Sequence, residues 1–124
     1  MTDNELTYAI RGAAFKVHSA LGPGLLEILY QKALFYELQD SGFDVKREVN
    51  VPVCYNGHEI GNDLKIDLLV ENRIIVELKS VERLTDLHKK QLLTYLRLTG
   101  KKLGLLINFN APSLDDNNVI REIN

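Results

Sequence analysis

The fold of this chain is decided by two short apolar runs, Lys65-Ile66-Asp67-Leu68-Leu69-Val70 and Ile74-Ile75-Val76-Glu77-Leu78-Lys79. Runs of this length that are rich in isoleucine, leucine and valine are typical of β-strands. The three residues between them, Glu71-Asn72-Arg73, are enough to join two antiparallel strands. The sequence therefore predicts a β-hairpin that carries charged side chains within both of its strands.

The pairing of these two strands brings their acidic residues together. Side chains of a strand point alternately to its two faces, so three apolar residues of the first run are expected on one face: Ile66, Leu68 and Val70. Asp67 then points to the other face. If Val70 pairs with Ile74 across the loop, Asp67 lies directly opposite Glu77, and Lys79 lies on the same face as Glu77.

Two carboxylates that face each other across strands repel, so a positive group is expected between Asp67 and Glu77. Lys79 is one candidate, and a divalent cation is the other. Closely spaced carboxylate oxygens suit a hard ion such as Mg²⁺ or Mn²⁺. A water held near Lys79 can then attack a phosphodiester. The alternative is a set of solvated charges on an exposed sheet face, and the Asp…Glu-x-Lys pattern alone does not decide between the two.

Two helices are predicted before the strands. Helical spacing of apolar residues covers Glu5 to Leu21, the sequence Gly22-Pro23-Gly24 breaks the chain, and a second helix runs from Leu25 to about Ser41. The second helix is apolar around most of its circumference, which predicts that it lies in the interior.

The remaining elements follow from changes of period and from turn residues. A strand around Val45 to Tyr55 ends at the hairpin turn Asn56-Gly57, and Pro52 within it predicts an edge strand or a bulge. Three further elements are expected: a helix from about Thr85 to before Gly100, a buried strand from Leu103 to Phe109 beside a crossover helix, and a short edge strand from Val119 to Ile123.

The bulk properties describe one globular domain. The chain has 124 residues, of which 45% are hydrophobic and 26% charged, which fits a single α/β domain over residues 1–124. Cys54 is the only cysteine and is expected to be a buried structural thiol. No apolar run approaches ~20 residues and the N-terminus resembles no secretion signal, so no membrane span and a cytoplasmic location are expected.

Three further motifs accompany the hairpin. The second helix begins with Gly24-Leu25-Leu26-Glu27-Ile28-Leu29-Tyr30, the third contains Gln91-Leu92-Leu93-Thr94-Tyr95, and Leu105-Leu106-Ile107-Asn108-Phe109-Asn110 closes the domain. With Asp67 and Glu77-Leu78-Lys79, this order resembles the GxxExxY protein family, a branch of the PD-(D/E)XK nuclease superfamily. The resemblance spans roughly residues 5 to 112.

The resemblance implies a restriction-endonuclease-like core, which is a mixed central sheet flanked by helices. It also implies hydrolysis of phosphodiester bonds with a divalent metal, Mg²⁺ or Mn²⁺. The implied metal ligands are Asp67, Glu77, the backbone carbonyl of Leu78 and, through water, Glu27. Lys79 is implied to position the water, and Gln91 and Tyr95 match an accessory catalytic pair.

Each helix residue also has a structural interpretation. Glu27 can serve the helix dipole, and Tyr30 can equally be a core aromatic whose hydroxyl is satisfied at the rim. Gln91 and Tyr95 can form a polar edge beside the core of the third helix. The basic pairs Lys46-Arg47 and Lys101-Lys102 can contact phosphate, but such pairs are common on solvated surfaces.

Three functions agree with these patterns. The first is a metal-dependent nuclease that acts on DNA, with structured or single-stranded DNA as candidate substrates, and works as a homodimer because one site cuts only one strand. The second is a non-catalytic binding or regulatory module that retains the nuclease fold. The net charge of −2 favours this second function, since most nucleic-acid binders carry a basic surplus. The third is a hydrolase or binder of a smaller phosphorylated ligand.

Overall fold

A five-stranded mixed sheet flanked by three helices forms the centre of the computed structural model, which describes residues 1–124. The elements, in chain order, are α1 (Asp3–Leu21), α2 (Glu27–Asp40), β1 (Val45–Tyr55), β2 (His58–Val70), β3 (Ile74–Lys79), α3 (Asp86–Thr99), β4 (Leu103–Asn108) and β5 (Val119–Ile123). This is the predicted α/β architecture of a restriction-endonuclease-like core, which is confirmed.

The strands lie in the order β1-β2-β3-β4-β5. All neighbours are antiparallel except β3 and β4, which are parallel and are joined through α3. A parallel connection of this kind needs a crossover helix, and the helix covers the sheet face on its side. All six residues of β4 are accordingly buried, as its unbroken apolar run predicted.

Helices cover both faces of the sheet, so the core has two parts. The larger cluster joins α1 and α2 to the sheet through side chains such as Ile10, Leu34 and Val76. The smaller cluster joins α3 to the opposite face through Leu92 and Leu96. A Cβ added to Gly104 of β4 would lie 2.7 Å from Leu92 Cδ1, so this glycine lets α3 pack closely on the sheet.

The ends of α1 and α3 are set by local side-chain hydrogen bonds. Thr2 and Glu5 form a capping box at the start of α1, and Thr85 and His88 form one at the start of α3. Gly100 ends α3 in the left-handed conformation, with φ 71°. The predicted bounds of all three helices agree with the observed ones to within about two residues, as is usual for helix ends.

One face prediction within the first apolar run is wrong. Leu68 belongs to the larger cluster, whereas Ile66 belongs to the smaller cluster on the α3 side. On β1, Val45 and Val51 are divided between the two clusters in the same way. Both strands of the β1–β2 hairpin therefore change face within this stretch, where Glu48 has a positive φ of 52° and the β1–β2 pairs omit Glu48 and Asp67.

Two burial predictions are also wrong. The helix α2 buries only one side and exposes Ile28, Leu29 and Tyr36, because its outer side meets no other element. Cys54 is exposed rather than buried, since the hairpin tip from 52 to 63 contains no buried residue.

The edge predictions are confirmed. Strand β1 lies at one edge of the sheet and its register shifts between Val51 and Val53, around Pro52. Strand β5 lies at the other edge. None of the three helices combines the length and the apolar composition that crossing a membrane requires. The cytoplasmic location stays a prediction.

Candidate active site

The regular pairing of β2 with β3 stops at the two predicted carboxylates. The pairs Val70–Ile74 and Leu68–Val76 are in the predicted register, and no backbone pair follows them. Instead, the Leu78 amide donates to Asp67 Oδ2 at 2.8 Å, and the Asp67 amide donates to Glu77 Oε1 at 3.3 Å. Side-chain oxygens thus replace the backbone carbonyls where the two strands separate.

Glu77 is the most strongly perturbed group of this arrangement. It is only 6% exposed, and burial together with the negative charge of Asp67 raises its pKa to about 10. The charge of Lys79 acts in the opposite direction. None of the three ion pairs of the structure involves Glu77 or Asp67. The two carboxylates therefore lie together without a close positive partner, and Lys79, the side chain predicted for that position, forms no ion pair with either of them.

Lys79 and Glu27 lie beside this pair. Lys79 is the last residue of β3 and is half-buried, and its backbone carbonyl accepts from the Phe109 amide at 2.9 Å. Glu27 is the first residue of α2, and burial raises the pKa of its carboxyl group. Lys79 lowers this pKa and Asp67 raises it, so Glu27 shares the electrostatic environment of both.

Helix α3 contributes Tyr95 to the same region. Burial raises the pKa of the Tyr95 hydroxyl, and the charges of Glu77 and Asp67 raise it further. Gln91 is exposed and makes no hydrogen bond to any of these residues. The structure thus brings Tyr95 close to the carboxylates and shows no contact of Gln91 with them, so the role of Gln91 stays a prediction.

Sequence reasoning missed a glutamine on α2. Gln31 is 4% exposed, and its Nε2 donates to Asp67 Oδ1 at 3.1 Å. Its Oε1 accepts from Arg47 Nη1 at 3.2 Å, so Arg47 belongs to the site region through Gln31. The available signal was the spacing, because Gln31 lies four residues after Glu27 and therefore on the same side of α2.

The chain matches the family model of the PD-(D/E)XK nuclease superfamily over residues 4–122. It belongs to this superfamily. No curated protein and no solved structure matches it. Membership of the PD-(D/E)XK superfamily indicates a nuclease-type function and a nucleic-acid substrate, and nucleases of this superfamily generally use divalent metals.

The donor set of this PD-(D/E)XK chain suits such a metal in a particular way. No three acidic, histidine or cysteine side chains are arranged to hold an ion by themselves. Two facing carboxylates, Asp67 and Glu77, are nevertheless present without a cationic partner. Mg²⁺ is often bound by one or two carboxylates while it keeps several waters, so the residues present fit this ion.

Tyr30 of the Gly-x-x-Glu-x-x-Tyr motif belongs to the core. Its ring is fully buried and stacks on Phe109 with centroids 4.8 Å apart. Its hydroxyl donates to the Gly22 carbonyl and accepts from the Leu25 amide at 3.1 Å. Tyr30 therefore holds the glycine-rich turn against α2, and this turn sets where Glu27 begins the helix.

Asn108 fixes the chain that follows Lys79. It is fully buried at the end of β4, and its side chain accepts from the amides of Val81 and Asn110 and donates to the Val81 carbonyl. Ser80 adds a hydrogen bond from its hydroxyl to the Leu25 carbonyl, at 2.6 Å. The end of β3 is thereby tied to β4 and to the start of α2.

Replacing Asn108 with alanine should destabilise the protein by about 2–4 kcal/mol, because a fully buried side chain loses three hydrogen bonds and the half-buried Val81 amide loses its acceptor. Urea unfolding measures this change. Asn117→Ala, an exposed asparagine of the same region, is the control and should change stability by less than about 0.5 kcal/mol. Equal stability of the two variants would contradict this role of Asn108.

Proposed function

We propose that this chain is a divalent-metal-dependent nuclease that hydrolyses phosphodiester bonds in DNA. The observation that carries the proposal is the facing pair of Asp67 and Glu77, which replaces the backbone pairing of β2 and β3 and has no close cationic partner. Lys79 follows on the same strand, as a nuclease centre needs a group that holds water beside the metal.

In this proposal the metal, Mg²⁺ or Mn²⁺, is held by four groups: the carboxylates of Asp67 and Glu77, the backbone carbonyl of Leu78 and, through water, Glu27. When bound, the metal neutralises negative charge that develops on the phosphate during hydrolysis. Lys79 holds and orients the attacking water. The arrangement supports this assignment because burial already raises the pKa of Glu77, and a cation would relieve the cost of its ionised form.

Tyr95 and Gln91 are proposed to act from α3. Tyr95 is half-buried, and the charges of Glu77 and Asp67 raise the pKa of its hydroxyl, so it can serve as a neutral hydrogen-bond donor near them. Gln91 precedes Tyr95 by one turn and is exposed, which suits contact with substrate rather than with the carboxylates.

We also infer that the chain belongs to the GxxExxY branch of the superfamily. The motif from Gly24 to Tyr30 supports this inference, because each of its three fixed residues, Gly24, Glu27 and Tyr30, has a distinct structural role. Gly24 has a positive φ of 96° in the turn, Glu27 begins α2 beside Lys79, and Tyr30 holds the turn.

The proposal is tested by a cleavage screen with Mg²⁺ and with Mn²⁺ on linear, branched and single-stranded DNA, and on RNA. We expect metal-dependent cleavage of at least one DNA substrate, which disappears on chelation and in Asp67→Ala. Folded, metal-loaded protein that leaves every one of these substrates intact would refute the proposed activity. Preferential cleavage of RNA would show that RNA rather than DNA is the substrate, and it would still support metal-dependent hydrolysis of phosphodiester bonds.

A second candidate is a non-catalytic binding module that retains the nuclease fold. The net charge of −2 favours it, because phosphate neutralisation supplies much of the affinity of nucleic-acid binders. The two candidates differ in one outcome. The nuclease cleaves when loaded with metal, whereas the binding module binds a nucleic acid or protein partner and leaves every nucleic acid intact.

A homodimer is proposed because one site cuts one strand of a duplex. Helix α1 offers a suitable surface, in which exposed Tyr8 and Phe15 lie on either side of Gly12. A Cβ on Gly12 would meet nothing in its own chain, so packing within the monomer does not explain this helix-weakening residue. Light scattering should give about twice the 14.1 kDa chain mass for the wild type and a lower mass for Tyr8→Glu. A wild type that stays at 14.1 kDa would contradict the dimer.

A further inference from the structure

We propose that Gln31 is a positioning residue that orients Asp67 for metal binding, and that Arg47 fixes the orientation of the Gln31 amide. This inference rests on the proposed function, since it assigns Asp67 to the metal. It adds two residues that neither the sequence motifs nor the superfamily match assigns.

Gln31 connects the half-buried carboxylate of Asp67 with the cationic side chain of Arg47. It is 4% exposed, its Nε2 donates to Asp67 Oδ1 at 3.1 Å, and its Oε1 accepts from Arg47 Nη1 at 3.2 Å. Both ends of the amide are therefore used, and its buried polar atoms are satisfied. A buried glutamine with two such partners is held in one position.

The chemistry of the two partners dictates which way the amide points. An arginine guanidinium can only donate hydrogen bonds, so the Gln31 oxygen must face Arg47. The amino group of Gln31 then faces Asp67, whose ionised carboxylate can only accept. A reversed amide would place donor against donor and acceptor against acceptor. Arg47 thus determines that Asp67 receives a hydrogen bond.

Arg47 is itself held by two elements. Its guanidinium lies 5.5 Å from the ring centroid of Phe35, one turn after Gln31 on α2. Its backbone pairs with Leu68 of β2, the residue next to Asp67. Hydrogen bonds therefore connect three elements at the Asp67 carboxylate: β1 through Arg47, α2 through Gln31, and β2 through Asp67 itself.

These contacts fix the orientation of the Asp67 carboxylate. Its Oδ2 accepts from the Leu78 amide at 2.8 Å, and its Oδ1 accepts from Gln31. One donor on each oxygen fixes the plane of the carboxylate and leaves a second lone pair on each oxygen for a cation or its waters. Groups that orient a metal ligand in this way typically contribute about 10–100-fold to metal affinity.

The test is a calorimetric titration with Mn²⁺ of four variants beside the wild type. We expect Gln31→Leu to weaken Mn²⁺ binding by about 10–100-fold. Gln39→Leu, an exposed glutamine on the same helix, should bind as the wild type does. Arg47→Met removes the donor that orients the amide and should weaken binding, whereas Arg47→Lys keeps a donor and should retain most of the affinity.

The outcomes separate this inference from the proposed function. Circular dichroism checks the fold of each variant, and the exposed Arg47 pair decides the question if Gln31→Leu does not fold. If Arg47→Met binds Mn²⁺ with wild-type affinity, or if Arg47→Met and Arg47→Lys lose affinity equally, the positioning role of Arg47 and Gln31 is refuted. The proposed metal site is not affected by either result. Failure of the wild type itself to bind Mn²⁺ overturns the proposed function and this inference together.

Discussion

Replacing Lys79 with methionine should lower the rate of metal-dependent cleavage by about 10²–10⁴-fold, the range typical for loss of a group that handles the proton of a nucleophile. Methionine keeps most of the length of the side chain and removes only its charge and its donors. Since Lys79 is half-buried and takes part in no ion pair, the variant should fold as the wild type does. Initial rates of DNA cleavage in Mg²⁺ measure the effect.

The matched control is Lys16→Met, which removes the same charge from an exposed position on α1, where Lys16 pairs with Glu37 at 3.6 Å. Its cleavage rate should stay within about twofold of the wild type, because surface ion pairs contribute little. Equal rates for Lys79→Met and Lys16→Met would show that Lys79 has no part in catalysis.

Replacing Glu77 with glutamine should abolish metal-dependent cleavage and also stabilise the metal-free protein at alkaline pH. Glu77 is 6% exposed and its pKa is about 10, so the metal-free folded protein keeps it protonated at pH 8 while the unfolded chain ionises it. Glutamine has the same shape and is neutral in both states. Its oxygen can still accept from the Asp67 amide, so the local hydrogen bond is retained.

The pH dependence has a definite sign. The folded-state pKa of Glu77 is raised above its ordinary value of 4.5, so its contribution to stability is fully present below pH 4.5 and is lost as the pH rises towards 10. Between pH 5 and 8 the metal-free wild type should lose about 2–4 kcal/mol of unfolding free energy relative to Glu77→Gln. Urea unfolding of both proteins with chelator at the two pH values measures this difference. Parallel pH profiles would contradict the assigned ionisation of Glu77.

The register of the central hairpin could be predicted from the sequence for a physical reason. A slip of one residue would turn every apolar side chain to the wrong face, and the short loop leaves few alternatives. The pairs from Val70–Ile74 onward agree with this reasoning and place Asp67 near Glu77. The parallel strand β4 was similarly predictable, because burial on both faces requires an unbroken apolar run.

The errors have a common cause in tertiary structure. Strict alternation placed Ile66 with Leu68, but Ile66 lies in the other cluster, because β1 and β2 are irregular at Glu48 and Asp67. The apolar circumference of α2 predicted burial on all sides, although only α1 and the sheet are available to cover it. Cys54 has apolar neighbours in sequence, but it lies at a hairpin tip without buried residues.

The candidate site was predictable only in its strand residues and in Glu27 and Tyr95. Gln31 was not identified, because its partners Asp67 and Arg47 come from β2 and β1. Its spacing of four residues from Glu27 indicates the side of α2 on which it lies but not these partners. In the sequence, Arg47 is one residue of the basic pair Lys46-Arg47, and such pairs are common on solvated surfaces. Gln91 shows a different limit of the sequence. Its match to the motif does not specify whether its side chain contacts Asp67 and Glu77 in the absence of substrate.

The central claim is that Asp67 and Glu77 bind a divalent metal, and paramagnetic broadening by Mn²⁺ tests it most directly. In ¹⁵N-labelled protein, substoichiometric Mn²⁺ should broaden first the amide resonances of Asp67 and Leu78, whose N–H groups donate to the two carboxylates. The same addition to Asp67→Ala should leave these resonances sharp. Broadening centred on other acidic residues, or identical spectra for the wild type and Asp67→Ala, would contradict the account.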